Sequence, residues 1–167
     1  SARQLADKHF VATLAAVLAE TKLDPSLLEL EITESQVMRQ GEGSVSRLNE
    51  IASMGIQLAI DDFGTGYSSL SYLKRLPISK LKIDQSFVRD ITIDPNDTAI
   101  VVAIISMAKS LDLGVIAEGI ETVGQLAVLR AKGCRVGQGF YFSVPMSAHD
   151  LAPMLAESSR FDVLRTP

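Results

Sequence analysis

The sequence predicts an α/β fold built on a parallel sheet, and a β/α barrel in particular, on three observations. Five short β-rich runs alternate with helical patterns along the 167 residues, and such long return connections are what parallel neighbours need. The runs are of strand length and keep the β/α order throughout. Polar residues recur where each run gives way to its loop: Glu31 and Glu34, Asp61 and Asp62, Lys82 and Asp84, Glu118 and Glu121, and Gln138. A ring of this kind is expected where several strand ends converge on one mouth, as in a TIM-like barrel. A doubly wound open sheet would give a similar string of elements, so the period alone leaves that alternative standing.

Taken in order, residues 2–22 place Leu5, Phe10, Leu14, Val17 and Leu18 near one face at helical spacing, and Asp24-Pro25-Ser26 breaks the pattern. Residues 27–32 read as the first strand, followed by a helix with Val45, Leu48, Ile51 and Ala52 on one side. Gly55 stops that helix, residues 56–60 are β-rich, and Asp61-Asp62-Phe63-Gly64-Thr65-Gly66 reads as a loop whose glycines permit unusual backbone angles. Ser68 or Ser69 caps the next short helix, Pro77 breaks it, and residues 80–83 form the third strand. Asn96 or Asp97 opens a helix carrying Ile100, Ile104, Met107, Ala108 and Leu111, with Gly114 as its stop. Residues 115–117 are the fourth strand, 121–132 a helix ended by Gly133, and 135–138 the last strand. A final helix over 148–157 has its start signal in Ser147 and Asp150, with Met146 and Leu151 as a hydrophobic staple.

At 47% hydrophobic and 22% charged residues, the chain can bury one core under a polar surface. Its longest apolar stretches, such as residues 100–105, fall far short of the roughly 18 apolar residues a membrane span needs. The first residues carry no basic-then-apolar signal pattern. The single cysteine, Cys134, excludes an internal disulfide framework and thiolate clusters, so a metal would be held by oxygen and nitrogen, and a reducing cytoplasm fits. A net charge of -4 without a Lys/Arg run lacks the footprint of a protein that wraps DNA or RNA polymers.

Convergent carboxylates repel one another unless a cation compensates them, so the ring predicts bound metal. Oxygen ligation favours Mg²⁺, Mn²⁺ or Ca²⁺ over zinc. Adjacent Asp61 and Asp62 could each reach one of two ions about 3.5–4 Å apart, an arrangement that serves phosphodiester hydrolysis. Lys82, facing the same mouth, could orient or deprotonate a water and offset phosphate charge. Each residue also has a plainer reading. Glu31 and Glu34 make a solvated pair, Asp61-Asp62 a turn, Lys82 an edge-strand gatekeeper and Gln138 a turn between glycines. Cys134 reads as a small core residue, and His9 and His149 as surface residues. An enolase-like barrel, in which carboxylates hold Mg²⁺ and a lysine takes a carbon-bound proton, is a further alternative.

In chain order, Glu31-Ile32-Thr33-Glu34-Ser35, Asp61-Asp62-Phe63-Gly64-Thr65-Gly66-Tyr67-Ser68-Ser69-Leu70, Leu81-Lys82-Ile83-Asp84, Ala117-Glu118-Gly119-Ile120-Glu121-Thr122 and Gln138-Gly139-Phe140-Tyr141-Phe142 resemble the EAL family of bacterial cyclic di-GMP phosphodiesterases. The likeness runs from Ser1 to about residue 155. It implies a TIM-like barrel and hydrolysis of one phosphodiester bond of cyclic di-GMP to linear pGpG with two Mg²⁺ or Mn²⁺ ions. The resemblance makes Glu31 a ligand of the first metal, Asp61 the bridging ligand and Asp62 a ligand of the second. It makes Glu118 the glutamate of the second metal region, Lys82 the lysine on the catalytic water, and Gln138 a glutamine at the mouth close to water and metal. Glu34 matches the anchor of the Asp-Asp-Phe-Gly loop, a loop the family links to metal assembly and to homodimerisation, and Glu121 is supporting. A cytoplasmic domain, with sensory or cyclase-like domains upstream and a parent that can be membrane-anchored through them, is the implied setting.

Departures from the family pattern set further expectations. No Glu-Ala-Leu or Glu-Val-Leu occurs in the chain, and the family's asparagine ligand is absent too. Residues 1–160 therefore read as the C-terminal two-thirds of an EAL domain, an incomplete barrel lacking its N-terminal strands, with 161–167 as a tail. Such an arc is expected to expose sheet edges and an apolar interior, and the chain alone is expected to be inactive. Val144 stands where a basic residue often follows the Phe-Ser pair. A degenerate domain that binds cyclic di-GMP or a protein partner without hydrolysis is the alternative function.

Overall fold

The computed structural model describes residues 2–39, 42–66 and 70–156. The N-terminal pattern forms two helices rather than one, α1 (Ala2–Ala6) and α2 (Phe10–Thr21). The break falls where Asp7 Oδ1 accepts from the His9 backbone N at 2.9 Å, a local turn that competes with helix continuation. A 3₁₀ turn, Pro25–Leu27, is capped by Asp24 and leads into β1 (Glu29–Thr33). There follow α3 (Glu34–Arg39), α4 (Glu42–Ser53), β2 (Gln57–Phe63), α5 (Leu70–Leu73), β3 (Lys80–Ile83), α6 (Gln85–Arg89) and α7 (Pro95–Ser110). The chain then forms β4 (Gly114–Ala117), α8 (Val123–Ala131), β5 (Val136–Gly137) and α9 (Ala148–Ala156).

Both ends of α7 differ from the sequence expectation. The cap of α7 is Asp94, not Asn96 or Asp97, because its side chain accepts from the Asn96 N and Pro95 is pre-set for the first helical position. After α7 it is Asp112 that takes the left-handed conformation, at φ 58°, while Gly114 already belongs to β4. The expected cap at Ser68 or Ser69, the end of the last helix at residue 157, the boundary at residue 160 and the tail 161–167 lie outside the described residues.

The five strands are all parallel and lie in the order β1-β2-β3-β4-β5. A doubly wound sheet reverses its order at a switch point; strictly sequential neighbours are the barrel solution. The chain is thus an incomplete α/β barrel, a five-stranded arc with helices packed on its outer face.

Strand alternation divides the side chains between two faces. Ile32, Leu58, Ile60, Leu81, Ile83 and Ala117 point outward and are buried with Leu48, Ile51, Val88, Val101, Ile104 and Leu129 from the helices and their connections. The opposite face carries Glu29, Glu31, Gln57, Asp61, Lys80 and Lys82, with Ala59 and Ile116 among them. The expectation of an exposed apolar interior is therefore not met: the inner face of this arc is mostly polar and internally ion-paired. Lys80 binds Glu29 in one layer, and Lys82 binds three carboxylates in the layer above.

Candidate functional site

Lys82 lies on β3, the central strand of the five, and is only 2% exposed. The edge-strand reading of this lysine is thereby overturned. Its Nζ stands 2.7 Å from Glu31 Oε1, 2.9 Å from Asp61 Oδ1 and 2.6 Å from Glu118 Oε1, partners that arrive from β1, β2 and the end of β4. Burial by itself disfavours the ammonium, but the hydrogen bonds it donates to Glu118, Glu31 and Asp61 outweigh it and hold the Lys82 pKa above the usual lysine range. Lys82 is therefore a fixed cation and a hydrogen-bond donor.

Asp61 and Asp62 were expected to sit in a loop, but β2 runs through both to Phe63. In a regular strand these neighbours would point to opposite faces. The β2–β3 register shifts between Ile60 and Phe63, and Asp62 adopts φ 53°. This irregularity turns both carboxylates toward the same mouth. One oxygen each from Asp61, Asp62 and Glu118 lies within 4.8 Å of the others. Three carboxylates from two strand ends, at this spacing and with an oxygen-only donor set, fit a hard divalent cation. Glu31 is not a member of that trio and is joined to it through Lys82.

The acids repel one another. Burial, then the neighbouring Asp61 and Asp84 carboxylates, push the Asp62 pKa upward. Burial raises that of Glu118 against the opposing pull of Lys82. Asp84, whose carboxylate stands beside that of Asp62, is in the sequence-predicted polar ring but was given no role there. The signal was present, since it ends β3 in the polar ring, but it also caps α6 by accepting from the Ser86 N, and a cap reading absorbs it.

The loops after β4 and β5 are fastened to each other through their backbones. Glu118 N donates to Ile83 O, Gln138 N to Ala117 O, Ile120 N to Gln138 O and Tyr141 N to Ile120 O. Gly139, at φ 154°, closes this junction: a Cβ there would lie 2.2 Å from Ile120 O. The junction brings Gln138 Nε2 to within 2.6 Å of Glu118 Oε1, the same oxygen that Lys82 holds. Glu34 is 2% exposed and accepts from Gly64 N at 2.9 Å and Gly66 N at 3.4 Å, so it ties the loop after β2 to the start of α3. Glu121 is exposed, and its backbone N donates to Gln125 Oε1. Asp62, Asp84, Glu118, Glu121 and Gln138 open on a cleft of about 600 Å³ whose lining also includes Phe140 and Val144. Cys134 is buried in the core and His9 and His149 are exposed, as expected.

The EAL domain family matches residues 1–145. MucR of Pseudomonas aeruginosa, named as a bifunctional diguanylate cyclase/cyclic di-GMP phosphodiesterase, is 45% identical over 93% of the chain and 23% of its own length. The chain spans about a fifth to a quarter of the curated relatives it matches. A solved structure of the MucR phosphodiesterase in complex with c-di-GMP superposes with a TM-score of 0.87 at 46% identity, over 90% of this chain and 61% of that one. A manganese and c-di-GMP complex of BlrP1 from Klebsiella pneumoniae gives a TM-score of 0.79 at 37% identity, over 85% and 36% respectively. With its sequential parallel strands and the acids at their ends, the chain belongs to the EAL domain family.

Proposed function

We propose that the chain supplies the lysine-centred part of a metal-dependent phosphodiesterase site that hydrolyses one bond of cyclic di-GMP to give pGpG. The observation that carries this reading is the convergence of Glu31, Asp61 and Glu118 on the Lys82 ammonium, with Asp62 beside them at the strand ends. Relatives named for that activity, and the c-di-GMP in the MucR structure, supply the substrate class.

Asp61, Asp62 and Glu118, with Glu31 alongside, are the residues that would hold Mg²⁺ or Mn²⁺. Such ions, when bound, polarise a phosphoryl oxygen and acidify a water. Lys82, kept protonated, donates to the attacking water and offsets phosphate charge. Gln138 donates to the same Glu118 oxygen that Lys82 holds, and Glu34 holds the Asp62–Gly66 loop in place. Glu121 supports the cleft wall. Val144 lines the cleft without a charge, so phosphate contact there is weaker than a basic residue would give. We assign the domain, over residues 1–160, to the cytoplasm, as a homodimer joined to sensory or cyclase-like domains. The greater length of the relatives supports the last point, and no helix among the described residues is long and apolar enough to cross a membrane.

The test supplies Mn²⁺ and cyclic di-GMP to two proteins and separates nucleotides by chromatography. One is the 167-residue chain, which contains neither the Glu-Ala-Leu glutamate nor the asparagine and is expected not to turn over. The other joins it to the part of the MucR phosphodiesterase domain that it does not cover, and is expected to form pGpG, a product abolished by Lys82→Ala. Tight cyclic di-GMP binding with no pGpG from the joined protein would establish the receptor alternative instead.

A further inference from the structure

We infer that Lys82 is a resident competitor of the metal, a residue that lowers the affinity of the site for divalent cations while keeping the ligands assembled. This rests on the reading of the carboxylate trio as a metal site. Two of the three trio members, Asp61 and Glu118, already direct an oxygen at Lys82 Nζ, at 2.9 and 2.6 Å. A cation drawn to the trio must share those carboxylates with an ammonium, and two positive charges a few ångströms apart repel each other. Lys82 has little room to withdraw: its side chain is 3% exposed and it stands on the central strand. Nor is there a vacant carboxylate in the layer below, because Glu29 is held by Lys80. A cation on the trio would therefore be held less tightly than the acids alone would hold it, and Lys82 would keep their charge compensated without it.

The direction of change separates this role from a merely structural one. If Lys82 only positioned the acids, removing it would scatter them and weaken binding. If it competes, the near-isosteric neutral Lys82→Met binds more tightly. Calorimetric titration of the 167-residue chain with Mn²⁺ alone is expected to show at least about a tenfold gain in affinity for Lys82→Met. Lys82→Arg, which keeps the charge, should stay near the parent value. A second measurement needs no variant: in lysine-¹³C-labelled wild-type chain, the Lys82 Cε resonance should move on addition of Mg²⁺ along the binding curve. Equal or weaker Mn²⁺ binding by Lys82→Met, or a Cε signal that ignores bound Mg²⁺, overturns the inference alone. Absence of Mn²⁺ binding in every variant overturns both it and the metal reading. Should Lys82→Met fail to fold, the Mg²⁺ titration decides.

Discussion

The outer and inner faces of the same five strands are stabilised by opposite means. Outward residues such as Leu58, Leu81 and Ile83 are at most 1% exposed, and their contribution comes from removing apolar surface from water. Inward residues of the neighbouring positions, Glu29, Lys80, Asp61 and Lys82, meet as charges. Along β3 the two schemes alternate residue by residue: Leu81 and Ile83 belong to the helices, Lys80 and Lys82 to the barrel axis. The lesson is that the apolar face specifies the fold and leaves the charged face available for chemistry.

The largest effects are expected on the outer face. Leu81→Ala removes a fully buried side chain and should cost about 2–5 kcal/mol in urea unfolding. A loss below about 1 kcal/mol would mean that the helices do not depend on this face. Gly139→Ala, which forces a Cβ against Ile120 backbone, should cost about 2–3 kcal/mol and detach Gln138 from Glu118. Glu34→Ala leaves the Gly64 and Gly66 amides without the carboxylate, at about 1–3 kcal/mol. Amide exchange of those two glycines should quicken while that of Ile60 does not, and uniform exchange would contradict an anchoring role. Lys80→Met should change stability by no more than about 1 kcal/mol, because the Lys80–Glu29 pair is partly exposed.

The smallest effect is one of pH. Burial pushes the Cys134 thiol pKa upward, so the folded chain keeps a proton that the unfolded chain releases near pH 8.5. Its contribution to stability is present below that pH and is lost as pH rises toward the folded value. Alkylation at pH 9 should be much slower in native chain than in urea. Equal rates would place Cys134 outside the core.

Much of this was legible before folding. The β/α order and the polar residue at each strand end follow from local pattern, and five motifs in order carried the family. Strand order was not legible, because barrel and doubly wound sheets share one string of elements and differ only in which strands pair. Nor was the polarity of the inner face: Ala59 and Ile116 look like core residues until Glu29, Lys80 and Lys82 are seen to share their side.

By itself, the sequence named the polar residues that gather at the strand ends, since side-chain type and strand-end position are local properties. Only the tertiary structure decided how the acids meet. Asp61 and Asp62 should diverge by strand alternation, and they converge because the β2–β3 register slips and Asp62 turns left-handed, a distortion set by the neighbouring strand. It likewise decided what Lys82 faces, because its three carboxylate partners are brought from 51, 21 and 36 positions away along the chain.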